Sequence, residues 1–329
     1  MSSGTGFRKS LTLTGVTVNA MALIAPGAFL WITYQLQAAQ IDAAGASTAM
    51  DIWPGLALAL VLAFLTAISY TMLSELYPNA GTGSSYYFAE KAFLDKEEST
   101  LHRWARLAKY TVGWISHLYY WVYPGVMVAM MATMIVYILG LFNINLPPIV
   151  QVAVAVAFSF VTAYVAYRGI TGSTFASLLI NAIQIAALVL ISVLALSYRL
   201  GGPHVTFVHP NLANVALPHN LSHVLFQSTI AILLLVGFES ATALTAEAMH
   251  PSFVSRGVIL SLIIQGLVAY LFEYFATGAW MNTAYVLKDA KGKLSGATTR
   301  PDSRRRRSAT WSGASATRCS AASGFRSSS

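Results

Sequence analysis

Charge is what this chain of 329 residues has least of. Asp, Glu, Lys and Arg together make up 10% of it, 12 acidic against 20 basic. A soluble domain carries roughly a quarter of its residues as charges, so a water-facing globular surface is excluded. Cysteine is nearly missing as well, with Cys319 alone. One thiol rules out an internal disulfide framework and a cysteine-built zinc site. No Ser/His/Asp set has a spacing that argues for hydrolysis. The short turn "GITGS" at residues 169–173 lacks the lysine of a phosphate-binding loop. His219 and His223 have the i, i+4 spacing of helical metal ligands, but no third ligand is evident near them in the sequence. They read as a helix start at a membrane surface. No metal, cofactor or nucleic-acid partner is therefore expected.

What the chain has in excess is apolar residues, at 56%, with a mean hydropathy of +0.61. They fall in long runs at residues 11–36, 53–76, 111–142, 147–167, 173–198, 221–248 and 256–282. A helix needs about 20 apolar residues to cross the ~30 Å hydrocarbon core, so these runs predict about seven membrane-spanning helices. Barrel strands would be about half as long and would alternate in polarity. Arg8 and Lys9 resemble the basic start of a signal peptide, yet the apolar run behind them is too long for one and more spans follow. An all-α integral membrane protein is the expected class.

Basic residues mark alternate connections. Arg8 and Lys9 precede the first span. Lys91, Lys96, Arg103, Arg106 and Lys109 follow the second, Arg168 the fourth and Arg256 the sixth; the opposite connections hold Arg199. The positive-inside rule then puts the N-terminus in the cytoplasm and residue 285 outside, in a multi-pass inner (cell) membrane protein. The segment at 80–109 reads as a surface amphipathic helix and a solvated link.

Two runs carry the wrong residues at their centres. The first contains "LIAPGAFLW", where Pro26 has no N–H and Gly27 tolerates non-helical angles. The sixth contains "VGFESATALTAE", with Gly237, Phe238 and Glu239 in mid-span. A carboxylate there costs roughly 2.5–3.5 kcal/mol on insertion scales, so it faces a cavity or a partner. Two corresponding breaks, five spans apart, are the sequence mark of a transporter built from inverted repeats. An unwound segment offers N–H groups from one half-helix to a carboxylate and C=O groups from the other to an ammonium.

These residues resemble the amino acid–polyamine–organocation (APC) superfamily of permeases. Ala25-Pro26-Gly27, followed by Ala28 and Phe29, stands where that family breaks its first helix. Glu75, Pro78, Gly81 and Gly83, with Thr82 between the glycines, resemble the pattern at the end of its second helix. Gly237-Phe238-Glu239 followed by Glu247, Pro251 and Arg256 matches the sixth helix and its exit. The resemblance covers about residues 7–287.

It implies two inverted five-helix repeats, here a first repeat at residues 1–200 and the start of a second at 201–287. It further implies an amino acid or amine substrate bound by Ile24, Ala25, Pro26, Gly27, Ala28, Gly237, Phe238, Glu239 and Ser240. Glu239 is the candidate for coupling to H+; Na+ is the other coupling ion left open. The fifth span has Asn181 and Gln184 but no lysine to stand in for sodium. Glu273, in the seventh span, is either an inter-helix partner or part of the permeation path. With only two spans of the second repeat present, the chain as written is expected not to transport. The basic stretch at 288–329 is expected to be a disordered tail or an out-of-frame reading that hides an eighth span. The rival from another class is an integral-membrane enzyme with Glu239 and Glu273 as acid and base; it needs neither helix break.

Overall fold

The structure is a computed structural model. It describes residues 9–24, 27–78, 84–94, 102–144, 147–167, 170–201, 207–209, 211–278, 287–288 and 294–296. Apart from one short strand pair, its regular elements are helices.

The first apolar run folds as two helices, α1 (Leu13–Leu23) and α2 (Gly27–Ala38). Thr12 caps α1 by accepting the Gly15 N–H at 3.3 Å. α1 ends where Ile24 turns to an extended conformation, φ −69° and ψ 143°. The cause is local: Pro26 would remove one N–H from a continuous helix and press its ring on the carbonyl four residues back.

A short 3₁₀ turn at Ala49–Asp51 leads into α3 (Ile52–Leu76). Its proline, Pro54, sits in the first turn, where no intrahelical partner awaits its missing N–H. α4 (Ser84–Leu94) lies against the end of α3, with Phe88 packed on Tyr70 and Tyr77. It is tied to the next helix by the Lys109–Glu90 ion pair at 2.9 Å. α5 (Arg103–Leu141), α6 (Pro148–Tyr167) and α7 (Ile170–Gly201) follow. α5 begins well before the apolar run it contains, because α4 gives its polar first turns a partner.

The sixth run starts as α9 (Leu221–Ala231), after the short α8 (Leu212–Ala216). Asn220 caps α9 through the Ser222 N–H at 2.9 Å. The seventh run is α10 (Pro251–Ser261), continued by π-helical turns at Leu262–Leu271 and Tyr274–Gly278. Pro251 stands at its N-terminus, where proline is pre-organised.

Among the described residues three helices are long and apolar enough to cross a membrane: Ala49–Leu76, Ser177–Gly201 and Pro251–Thr277. Shorter apolar helices occupy the other four runs, at Leu13–Ala22, Gly125–Gly140, Pro148–Tyr164 and Leu221–Leu234. In the first and sixth runs the shortening is the break itself. The outer faces agree with membrane association. Trp121, Phe160, Ile183 and Leu194 are exposed on α5, α6 and α7, a display of apolar surface that water would punish.

The expectation of an unstructured tail from residue 288 is corrected in one detail. Leu287–Lys288 pairs antiparallel with Leu294–Gly296. Polar residues and Gly292 stand between the two short strands, which is hairpin chemistry. The rest of the tail lies outside the described residues.

The core is where α1, α2, α3, α9 and α10 meet, around Ile24, Leu30, Leu56, Leu234, Leu262 and Tyr270. Glycines set two of the approaches. A Cβ on Gly55 of α3 would stand 2.6 Å from Gln227 Cβ on α9. A Cβ on Gly257 of α10 would stand 2.8 Å from Val16 Cγ1 on α1. Small residues let helix backbones close on one another, as membrane bundles require.

Candidate functional site

The second break is built around Gly237. Its φ of 126° lies where only glycine rests without strain. Before it, Ile232–Leu234 tightens into a 3₁₀ turn; after it, Phe238–Ala246 runs as a 3₁₀ helix of 9 residues. Runs beyond three or four residues are uncommon, and a long one marks strain or function. Local side chains hold this one. Thr242 Oγ1 donates to the Glu239 carbonyl at 2.6 Å, and Thr245 does the same to Thr242. The Gly237 N–H, freed by the break, donates to Glu239 Oε2 at 2.8 Å. The carboxylate thus sits on the N–H end of the interruption.

The helix that ends at the first break, α1, lies against the second. α1 packs along the 3₁₀ segment and along α10. Ile24, Phe29 and Phe238 are buried in one apolar cluster. Backbone bonds strap the entry of α1 to the exit of the sixth run. Ser10 and Leu11 N–H groups donate to the Glu247 carbonyl at 2.9 and 3.0 Å, and the Met249 N–H donates to Leu11 O at 3.0 Å.

Of the nine residues expected to bind substrate, Ile24, Gly237, Phe238 and Glu239 are brought together here. Ala25 and Pro26 lie outside the described residues, as do the side chains of Gly27, Ala28 and Ser240. So do Gly81, Thr82 and Gly83; Glu75 and Pro78 are exposed at the end of α3.

Around this pair runs a buried polar network that the sequence reading did not anticipate. Tyr274 OH donates to Gln37 Oε1 at 2.6 Å. Gln37 Nε2 donates to the Gln227 carbonyl at 3.2 Å. Gln227 Nε2 returns bonds to Gln37 O at 3.0 Å and Thr48 Oγ1 at 2.7 Å. Tyr270 OH accepts from Gln265 at 2.6 Å and from Gln184 at 3.5 Å. Asn181 Nδ2 reaches Val18 O at 3.2 Å, binding α7 to α1. Asn181, Gln184, Gln227, Gln265, Tyr270 and Tyr274 are neutral polar side chains inside apolar runs, and that isolation was the available signal; Gln37 and Thr48 lie between runs and carried none. Glu273 is buried and accepts a bond from Thr277, one turn on in the same span, at 2.8 Å.

At the end of the bundle formed by residues 39–51 and 207–223, two aspartates meet three histidines. Asp51, fully buried, accepts the backbone N–H groups of His219 at 2.7 Å and Asn220 at 3.2 Å. Its oxygens lie 3.4 Å from His219 Nδ1 and 3.6 Å from His223 Nδ1. His223 Nε2 meets Asp42 Oδ2 at 3.1 Å. The Ala46 N–H and the His223 ring hold the Asp42 carboxyl below its ordinary value. Burial, helped by the nearby His219, pushes His209 down to about 4. The histidines mark a helix start, as their spacing implied, and the aspartates that anchor it come from far away in sequence. Among the described residues no group of three or more His, Cys, Asp or Glu is arranged to hold a metal ion.

No family model, no curated protein and no solved structure matches this chain.

Proposed function

We propose that the chain is an APC-type permease for amino acids or related amines, built on broken first and sixth spans. The observation that carries this reading is that both apolar runs lose their α-helical course at mid-run, with α1, which ends at the first interruption, packed along the 3₁₀ segment that follows the second. A broken helix in lipid forfeits backbone hydrogen bonds, which is tolerated only where the freed groups face protein or a polar ligand. Here they form two poles. The Gly237 N–H end suits a carboxylate, and the carbonyls that end α1 suit an ammonium. Glu239, resting on the Gly237 N–H, is the side chain a substrate carboxylate would displace or an incoming ammonium would pair with. The same carboxylate is the group available for H+ coupling, with Na+ as the alternative ion.

In this reading residues 1–200 form the first five-span repeat and residues 201–287 open the second. The N-terminus is cytoplasmic; the paired breaks bind substrate, and alternating access is the motion of two complete repeats. A membrane enzyme using Glu239 and Glu273 would need neither break.

The test is equilibrium binding. The purified 329-residue chain in lipid nanodiscs is offered radiolabelled amino acids and polyamines, with unlabelled competitors. Saturable binding of a zwitterion or amine, weakened about tenfold or more by Glu239→Gln, is expected from the loss of a charge-assisted contact. A helical, monodisperse chain that binds none of them overturns the proposal.

A further inference from the structure

A cavity of about 430 Å³ lies away from the paired breaks, between the end of α3 and the start of α10. Thr71, Ser255, Arg256, Ile259 and Leu260 line it. It is a shallow groove, open along most of its surface. Its walls are mainly apolar, and its one charged wall residue is Arg256. Among the described residues no Asp or Glu forms an ion pair with that guanidinium. The hydroxyls are already engaged, Thr71 with the Ile68 carbonyl at 2.8 Å and Ser255 with Ser74 at 3.4 Å. The site therefore presents a single cation at the mouth of an apolar slot.

The surroundings say which ligand fits. This end of the bundle is the basic one. α4 packs on the end of α3, through a Tyr70–Ser85 bond at 3.1 Å, and brings Lys91 and, through α5, Arg103, Arg106 and Lys109. On α3 the exposed residues that follow Thr71 are Met72, Glu75 and Leu76: two apolar side chains that extend the apolar surface, and one carboxylate that forms no ion pair with Arg256 among the described residues. A free inorganic anion would find one arginine and no second donor. A lipid phosphate would find the same arginine, which can grip it with two parallel N–H bonds, and a trough for its chain. Basic pockets between spans at a positively charged membrane face are sites for anionic headgroups.

We propose that this groove binds one anionic phospholipid, its phosphate on Arg256 and an acyl chain along Ile259 and Leu260. The inference rests on the membrane reading and not on transport, so its failure would leave the substrate proposal untouched.

The experiment uses the whole chain, purified in a neutral detergent. Native mass spectrometry and thermal unfolding are run with dioleoyl phosphatidylglycerol, dioleoyl phosphatidylcholine or inorganic phosphate. Phosphatidylglycerol should stay bound and raise Tm, whereas phosphatidylcholine and phosphate should not. Arg256→Gln should weaken the binding about tenfold or more, and Arg103→Gln should leave it unchanged. Leu260→Trp, which fills the slot and keeps the arginine, should also weaken it and guards against a misfolded Arg256 variant. Equal retention of both lipids, a shift produced by phosphate alone, or full binding by a folded Arg256→Gln chain overturns the proposal.

Discussion

Replacing Gly55 with alanine tests the closest helix contact in the molecule. The added Cβ would stand 2.6 Å from Gln227 Cβ, 3.1 Å from Gln227 C and 3.1 Å from Ser228 N. Two of those atoms are backbone, so no side-chain rotation relieves the clash. α3 and α9 must separate by about 0.8 Å to restore ordinary contact. Overpacking of this kind costs about 1–3 kcal/mol. The separation also pulls Gln227 away from Thr48 Oγ1, now at 2.7 Å, and from Gln37 O, at 3.0 Å. Each buried bond lost adds about 1 kcal/mol. Alanine's better helix propensity returns about 1 kcal/mol, which leaves a net loss of about 2–4 kcal/mol. Thermal and denaturant unfolding in detergent, followed by tryptophan fluorescence, reads the change. Gly257→Ala should behave alike, since its Cβ meets Thr17 N at 3.2 Å as well as Val16. Gly266→Ala should cost less, because it meets the movable end of Leu60 at 2.7 Å. Gly125→Ala and Gly140→Ala meet nothing within 4 Å and should be neutral or stabilising. If Gly55→Ala is as harmless as Gly125→Ala, the α3–α9 approach is wrong and the packing argument goes with it.

Two further outcomes are expected at the same end of α3. Asp51→Asn replaces an acceptor of two backbone N–H groups with a side chain that must turn one donor toward them. Stability should fall by about 2 kcal/mol in the same unfolding assay, whereas Asn211→Ala, at the exposed cap of the short α8, should cost clearly less. His209 gives a pH signature. Its ring titrates at about 4 in the folded chain against an ordinary 6.5, so between those values the unfolded chain holds a proton that the folded chain does not. Stability is complete above about 6.5 and declines as the pH falls toward about 4. The Tm advantage of the wild type over His209→Gln should shrink across that window, and a difference that stays flat from pH 7.5 to 4.5 would refute the assignment.

The helical class and the placing of the runs were legible because each depends on local composition. Boundaries at 53–76 and 147–167 differ by about one residue from Ile52–Leu76 and Pro148–Tyr167. The breaks were legible for the same reason, since Pro26 and Gly237 act on their own backbone. What the sequence hid were contacts between distant residues. Gln37 and Gln227 are 190 positions apart, and Asp51 and His219 are 168. Neither pair has a spacing that marks it. Glu239 was picked out by its cost in lipid, but its use of the Gly237 N–H depends on a φ that only coordinates reveal.

The nature of the hidden network bears on how the halves of the chain are held. Gln37 and Thr48 belong to the first repeat of the proposed scheme, Gln227 and Tyr274 to the second. Those four residues are joined by neutral hydrogen bonds, while the carboxylate–histidine contacts that also link the halves, Asp42 and Asp51 with His219 and His223, lie at the end of the bundle. A buried ion pair would carry a desolvation penalty of several kcal/mol per charge and would lock one geometry strongly. Amide and phenol groups cost less to bury, and each bond is worth about 0.6 kcal/mol within a membrane, up to about 1.7. Bonds of that size order a bundle when several act together, yet one or two can be exchanged during a rearrangement. Among the described residues Gln227 Oε1 has no hydrogen-bond donor, so it is the acceptor placed to take one when its neighbours shift. A rocking motion between repeats needs contacts of that strength, and a Gln37→Leu with Tyr274→Phe double-mutant cycle should return a coupling of about 1 kcal/mol. A coupling several times larger would describe a rigid clamp, and would argue against motion at this interface.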